Sequence, residues 1–292
     1  MKRLLSSITV FTLLVAPCLA RYNFTAVNYP GASNTQIFAV NNAGQYVGAF
    51  YDAQLNGHAM YFDGKALRAL DPKGVIGTAP NSFAFSLNNR GDIAGSYTDP
   101  SGGFHGYVYN HGKITAIEFP GGFDTQAFGV NDLGQVIGVF NDSKKAPHAF
   151  LLRHGTYKKI DLPHGLQTVP FSINNSTEIV GEFINLRNTT GHGYLQLKNG
   201  KFTLYDAPHA APDSTYLISI NNLNQIVGFY NDRAGRFHNF LLAHKKLTEL
   251  TVPGSFKASF ASFQTINDSG EIVGYYNDAQ KVSHGFVAIA GR

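Results

Sequence analysis

The sequence contains no tryptophan and one cysteine, Cys18, among its 292 residues. A chain that lost its first 20 residues would have no thiol, which excludes disulfides and cysteine chemistry. Its stability would have to come from an apolar core, and a chain of about 270 residues can bury roughly three quarters of its unfolded surface. The absence of tryptophan also removes the strongest stacking platform for a sugar ring.

Charge is sparse as well. The formal net charge is +4, and the loss of Lys2 and Arg3 would lower it to +2. The remaining basic residues are scattered among carboxylates and form no stripe. We therefore expect no nucleic-acid partner.

Long apolar runs are absent except near the start, where Ile8–Val15 follows Lys2 and Arg3. The run is too short to span a bilayer, which takes about 20 residues. A basic pair, a short apolar run and small residues behind it are typical of a secretory signal peptide. We predict a signal peptide at residues 1–20 and a secreted protein, extracellular or periplasmic, without membrane insertion. A buried N-terminal helix and a lipoprotein cleaved before Cys18 are the alternatives.

The chain contains a sixfold repeat. The stretch Ile266–Gly274 recurs five more times at a spacing of 43 to 47 residues, and no linker separates the copies. We therefore predict one domain over residues 21–292. Each copy begins at an anchor asparagine and closes at a glycine. The anchors are Asn41, Asn88, Asn131, Asn174, Asn221 and Asn267, and the glycines are Gly48, Gly95, Gly138, Gly181, Gly228 and Gly274.

Each repeat contains four strand patterns, a to d. Strand a ends at the anchor, b contains the glycine, c begins at a histidine, and d ends before a proline. Such a unit of about 45 residues without helical periodicity is typical of a β-propeller blade. The first strand, residues 22–29, is a d strand without a blade, and the chain ends after a c strand. We predict an all-β, six-bladed propeller of four-stranded blades, closed by pairing the N-terminal strand with the last blade. A solenoid or another closed β-architecture is the alternative.

The repeated residues have structural explanations. Asparagine at the start and glycine at the end of the a–b connection suit a type I turn. Asn224 tolerates the last turn position, whereas Thr177 is costly there because it is β-branched. The six strand-b glycines predict close packing against an aromatic residue of the neighbouring repeat.

Six histidines in register begin the c strands. They lie too far from the propeller axis to share one ion, so we predict no metal site. Each follows an aspartate or asparagine at the end of strand b, which predicts a structural hydrogen bond across the b–c loop. The histidines are His58, His105, His148, His192, His238 and His284, and their partners are Asp52, Asp99, Asp142, Asn185, Asp232 and Asp278.

Copies such as Val130–Gly138, followed by His148, Ala149 and Phe150, resemble the extracellular HAF repeats, a family named for that triplet. The resemblance covers essentially the whole mature chain. Copy four departs from it at Thr177, and His-Gly-Phe or His-Gly-Tyr often replaces the triplet. It implies a secreted bacterial repeat protein and no general chemical activity.

The repeats differ most in the d–a and b–c loops, which emerge on one face of a propeller; we call it the loop face. The regular a–b and c–d turns emerge on the opposite, turn face. Because loops on a rigid scaffold carry recognition, the loop face is the predicted binding surface. The candidate binding residues are Arg187, His164, His209, Arg233, Arg236 and Lys257.

Copy four places Glu182 at a strand position that is apolar or small in the other copies. A carboxylate there must be paired or solvated. It is either a tolerated change or a functional acid, with Asp124 and Asp213 as further candidates.

The leading prediction is a non-catalytic, monomeric propeller without cofactors that binds an extracellular glycan or protein on the loop face. The alternative is a polysaccharide-active hydrolase or lyase, or another propeller enzyme. A glycosidase needs two carboxyl groups within roughly 5 to 10 Å of one another.

Overall fold

The computed structural model describes residues 22–72, 81–163, 167–185, 190–253 and 260–291, without the side chains of Asn185, Thr190 and Asp213. The predicted signal peptide, residues 1–20, lies outside the described residues. Within the described ranges, no helix is long and apolar enough to cross a membrane.

The described strands form six blades of four antiparallel strands, in the order a, b, c, d. Blade 1 is β2 (Asn34–Val40), β3 (Tyr46–Tyr51), β4 (Gly57–Phe62) and β5 (Leu67–Ala69), and blade 2 is β6 (Ser82–Leu87), β7 (Ile93–Thr98), β8 (Phe104–Asn110) and β9 (Lys113–Ile117). Blade 3 is β10 (Phe123–Val130), β11 (Val136–Asn141), β12 (Pro147–Arg153) and β13 (Thr156–Lys159), and blade 4 is β14 (Gln167–Ile173), β15 (Ile179–Asn185), β16 (Thr190–Gln196) and β17 (Phe202–Tyr205). Blade 5 is β18 (Ala210–Ile220), β19 (Ile226–Asp232), β20 (Phe237–Ala243) and β21 (Lys246–Leu250), and blade 6 is β22 (Phe260–Ile266), β23 (Ile272–Asn277), β24 (Ser283–Ala290) and β1 (Tyr22–Val27).

Blade 6 contains both ends of the described chain. Strand β1 pairs antiparallel with β24 along its whole length, from Tyr22 opposite Ala290 to Val27 opposite Gly285. The predicted all-β, six-bladed propeller and its closure by the N-terminal strand are confirmed. A ring closed in this way covers the sheet edge that an open array would leave exposed.

Alternation along the strands places the core between adjacent blades. In β2, Thr35, Ile37 and Ala39 are buried while the residues between them are half-buried. Where blades 3 and 4 meet, Ile137 and Ala149 pack with Ile173 and Tyr194. Each blade therefore contributes one apolar face to each of two junctions.

The strand-b glycines correct one prediction. A Cβ added to Gly138 would collide with the carbonyl oxygen of Gln126 and lie 2.9 Å from Cε1 of Phe150. Both residues belong to the same blade, not to the neighbouring repeat. The register of strand a shifts between Ala127 and Gly129, and this bulge brings the Gln126 carbonyl over the glycine.

The a–b turns are as predicted. The Gly134 amide donates to the Asn131 carbonyl at 3.0 Å, and Gly134 has a φ of +69°. Thr177 and Asn224, at the same position in blades 4 and 5, have φ values of +61° and +58°. Thr177 therefore adopts the left-handed conformation, which is costly for a β-branched residue.

Candidate functional site

The strand-c histidines connect strand ends at the loop face. We call each histidine with its side-chain partners a clamp. In blade 3, Nε2 of His148 lies 3.2 Å from Asp142, and Nδ1 lies 2.7 Å from Asp161. The predicted contact with the strand-b aspartate is confirmed for His58, His105, His148, His238 and His284. In blade 4, the side chain of Asn185 lies outside the description.

The second partner of each histidine was missed from the sequence. It lies at or just after the end of strand d, where it ties this end to strand c. The six partners are Asp71, Glu118, Asp161, Asp206, Glu249 and Asn28. A regular acidic or amide residue at the end of each d pattern was the available signal.

Two of these clamps shift the histidine pKa. Burial alone lowers the pKa of His58, but hydrogen bonds and charge from Asp71 and Asp52 outweigh burial and raise it. The pKa of His105 is raised for the same reason, by Asp99 and Glu118. The histidines are structural elements that hold the bases of the variable loops.

Glu182 lies in β15, between blades 4 and 5. It is half-buried and accepts a hydrogen bond from the hydroxyl of Tyr216 on β18. Burial raises the pKa of Glu182 to about 7, although the bond from Tyr216 acts to lower it. A Cβ on Gly191 would lie 2.9 Å from Oε1 of Glu182, so a glycine makes room for the carboxylate.

The junction beside Glu182 contains a backbone contact between blades 4 and 5 and the aromatic ring of Tyr216. Gly191 of blade 4 pairs in parallel with Ser214 of blade 5. Tyr216 stacks on Phe229 with centroids 4.4 Å apart, and Phe229 stacks on Phe237 at 4.7 Å. All three rings are half-buried. Tyr216 therefore links the Glu182 carboxylate to an aromatic stack that continues through Phe229 and Phe237 to Phe260 of blade 6.

Asp124 lies at a different junction, between blades 2 and 3. Its Oδ1 accepts the Phe104 amide at 3.0 Å, and its Oδ2 accepts Nδ2 of Asn141 at 3.1 Å. At other junctions Asn81 and Asn34 accept the corresponding amides of Gly57 and Ser283. Asp124 therefore joins two blades, and it does not share a junction with Glu182.

The other candidates fall into three groups. Arg236 forms an ion pair with Asp232 at 2.7 Å, while Arg233 and His209 are exposed on the loop face. The backbone of Asp213 lies in β18 beside Ser214, at the blade 4–5 junction, but its side chain is outside the description. Arg187, His164 and Lys257 lie outside the described residues.

A channel of about 300 Å³ runs along the axis between the six a strands. Half-buried residues form a collar around it: Phe38, Phe85, Phe128, Phe171, Ile218 and Gln264. The floor at the turn face consists of the residues that follow the anchors: Asn42, Asn89, Asp132, Asn175, Asn222 and Asp268.

Two closed rings of hydrogen bonds surround this floor. The side-chain amide of each anchor donates to the backbone carbonyl of the next anchor, from Asn41 around to Asn267 and back. The backbone amide of each floor residue donates to the side-chain oxygen of the next floor residue. The sequence explained the anchors as turn residues only. The Asn or Asp that follows every anchor was the signal in the sequence for a ring of hydrogen bonds between blades.

The two floor aspartates lie on opposite sides of the ring, in blades 3 and 6. Asp268 accepts the side-chain amides of Asn42 and Asn222, and Asp132 accepts those of Asn89 and Asn175. Burial raises the pKa of Asp268, but the bonds from Asn42 and Asn222 outweigh it and lower that pKa. Each floor asparagine therefore has one carboxylate neighbour to which its amide donates.

Among the residues that the structure describes, no group of three or more His, Cys, Asp or Glu side chains is arranged to hold a metal ion. The histidine nitrogens of the clamps are engaged with carboxylates or amides instead.

No protein-family model and no curated protein matches the sequence. Solved structures do match its fold. The Aleuria aurantia fungal lectin, a six-bladed β-propeller with a fucose recognition mode, aligns with a TM-score of 0.56 at 10% identity, over 90% of this chain and 94% of the lectin. The SapL1 lectin in complex with α-methyl fucoside aligns with a TM-score of 0.55 at 9% identity, over 89% of this chain and 96% of that one.

TolB from Acinetobacter baumannii also aligns, with a TM-score of 0.56 at 10% identity, over 88% of this chain and 64% of TolB. At such identities the likeness concerns architecture, because one fold carries many functions. The chain is thus similar in fold to six-bladed propeller lectins and to TolB.

Proposed function

We propose that this protein is a secreted propeller of the HAF-repeat type that binds a glycan on its loop face without catalysis. The signal-like N-terminus and the repeat resemblance support secretion. The alignment with two lectins, one of them in complex with a fucoside, supports a carbohydrate ligand. A protein ligand on the same face is the alternative that the sequence left open.

The observation that carries the proposal is the pairing of Glu182 with Tyr216 between blades 4 and 5. Burying a carboxylate is costly unless it is hydrogen-bonded, and burial has already raised the pKa of Glu182 to about 7. Sugar hydroxyls donate to carboxylates, and the apolar face of a sugar packs on aromatic rings such as that of the half-buried Tyr216. A bound glycan would satisfy both groups.

A catalytic role has weaker support. Glycosidases use two carboxyl groups roughly 5 to 10 Å apart, and Asp124 is engaged at another junction. One observation favours the enzyme, because a carboxyl group with a pKa of about 7 suits a general acid at neutral pH. Asp213, whose backbone lies at the same junction, would then be the second carboxylate.

The test is a glycan array followed by calorimetric titration of the best binder, with reducing-end release measured in parallel. We expect binding without product, and a loss of affinity of about tenfold or more in Glu182→Gln and Tyr216→Phe. Glu118→Gln is the matched control, because Glu118 is a loop-face carboxylate that holds His105 in blade 2. Product release would favour the hydrolase. Binding that is equal in Glu182→Gln and wild type would refute this site, and an array without binders would favour a protein ligand.

A further inference from the structure

The axial channel is a cavity separate from the Glu182 site. We propose that it is a second binding site, which takes a small organic cation with an apolar body, such as an arylalkylammonium ion. Its apolar collar would hold the body, and its acidic floor would hold the ammonium group. The proposal does not depend on glycan binding at the blade 4–5 junction.

The collar presents apolar surface to the channel. Four of its six members are phenylalanines, and all six are half-buried. Neighbouring ring centroids lie 5.8 Å apart for Phe38 and Phe85, and 5.4 Å apart for Phe85 and Phe128. In a sixfold ring of this spacing, an aryl group on the axis would lie roughly 5 to 6 Å from each centroid, a separation at which aromatic pairs attract.

The charge of the channel selects a cation. Its described lining includes two carboxylates, Asp132 and Asp268, and no Lys, Arg or His. Both carboxylates belong to the floor ring, and the lowered pKa of Asp268 keeps that group ionised at neutral pH. The channel therefore has a negative potential at the turn-face end, which opposes anions and favours cations.

The floor retains capacity for one more donor at each carboxylate. Oδ1 of Asp268 accepts the Asn222 amide at 2.8 Å, and its Oδ2 accepts the side chains of Asn222 at 2.9 Å and Asn42 at 2.8 Å. A carboxylate has about four acceptor positions, so three bonds leave one. An ammonium group has three donors and no acceptor, which suits a floor whose carboxylates accept only.

The dimensions limit the ligand. Asp132 of the floor comes four positions after Phe128 of the collar, so their Cα atoms are at most about 13 Å apart. The volume of about 300 Å³ is at the small end of ligand pockets. A single aryl or short alkyl group with one ammonium fits this space, and a polymer does not.

The experiment titrates the mature chain with 2-phenylethylammonium and with its neutral counterpart 2-phenylethanol, followed by calorimetry and saturation-transfer NMR. We expect the ammonium ion to bind at least about tenfold more tightly than the alcohol, since the floor carboxylates attract its positive charge. Phe128→Leu should weaken binding several-fold. Phe202→Leu, on the outer strand of blade 4, is the matched control and should not change it.

Asp268→Asn should reduce the preference for the ammonium ion over the alcohol, after a thermal melt has shown that the variant folds. Should it fail to fold, the ammonium and alcohol titrations with Phe128→Leu still decide. Equal affinity for the two compounds, no binding of either, or an unchanged affinity in Phe128→Leu would overturn the proposal. Glu182→Gln should leave this binding unchanged, which separates it from the glycan site.

Discussion

The two faces of the propeller are built from the same six repeats and hold the blades together differently. On the turn face, identical bonds pass from every anchor to the next, as from Asn131 to the Asn174 carbonyl. On the loop face the blade-to-blade bonds differ, from the Asp124 carboxylate at one junction to the Gly191–Ser214 backbone pair at another. A closed ring tolerates little change in any member, whereas separate junctions can vary one at a time. Sequence variation, and with it a ligand site, can therefore accumulate on the loop face.

The largest effect on stability is expected for Asn131→Ala on the turn face. The Asn131 side chain is buried and makes four hydrogen bonds, to the amides of Leu133 and Gln135, to the Gln135 side chain and to the Asn174 carbonyl. Because the amides of Leu133 and Gln135 would lose their acceptor and the bond to the next blade would be lost, we expect a loss of about 3 kcal/mol or more in the free energy of unfolding. Urea denaturation measures it.

The control is Asn199→Ala, which removes the same side chain from an exposed c–d turn where it accepts one bond, from the Lys201 amide. That change should lower the free energy of unfolding by about 0.5 to 1 kcal/mol. Equal losses in the two variants would show that the ring adds nothing beyond an ordinary turn.

The same asparagines show what sequence reasoning reaches. Local chemistry, an Asn at the start of a turn and a Gly at its end, predicts the turn. The bond from Asn131 to Asn174 needs two residues of different blades to be brought together, and only the closed ring does this. Periodicity predicts the ring itself, because the repeats leave one d strand too many at the start of the chain and one too few at its end.

The candidate site follows the same division. Glu182 stands out in the sequence because a carboxylate interrupts an apolar position, but its partner Tyr216 belongs to another blade and carries no local signal. Gly138 was assigned to the wrong partner for a related reason. Its neighbour Phe150 lies directly opposite it on strand c, and its neighbour Gln126 approaches it at a bulge in strand a that no pattern in the sequence marks.

The second test concerns pH and the loop face. The pKa of His58 and of His105 is raised in the fold, so their clamps add stability that is fully present below the unfolded pKa, about 6.5, and is lost as pH rises through the raised value. The melting temperature should therefore fall by several degrees between pH 5.5 and about 8, as followed by circular dichroism.

Glu182 contributes with the same sign, because a carboxyl group with a pKa of about 7 stays protonated in the fold where the unfolded chain is ionised. The melts are therefore compared in a Glu182→Gln background. There, the double change His58→Gln and His105→Gln should flatten the pH dependence. A melting temperature that is constant or rises from pH 5.5 to 8 would contradict the clamps.

The smallest expected effect exchanges one turn-face residue between blades 4 and 5. Thr177 has a φ of +61°, a conformation that a β-branched residue adopts at a cost of about 1 to 2 kcal/mol, whereas Asn224 adopts +58° readily. The Thr177 hydroxyl donates to Oε1 of Gln135 at 2.9 Å, and the same Oε1 also accepts the side-chain amide of Asn131. Loss of the Thr177 hydroxyl therefore leaves no buried acceptor unpaired. We expect Thr177→Asn to raise the free energy of unfolding by about 1 kcal/mol. The reciprocal Asn224→Thr should lower it by at least as much, because it also removes the bond between the Asn174 amide and Oδ1 of Asn224. If both variants shift stability in the same direction, the strain at this position does not decide it, and the irregularity of copy four at the turn face needs another cause.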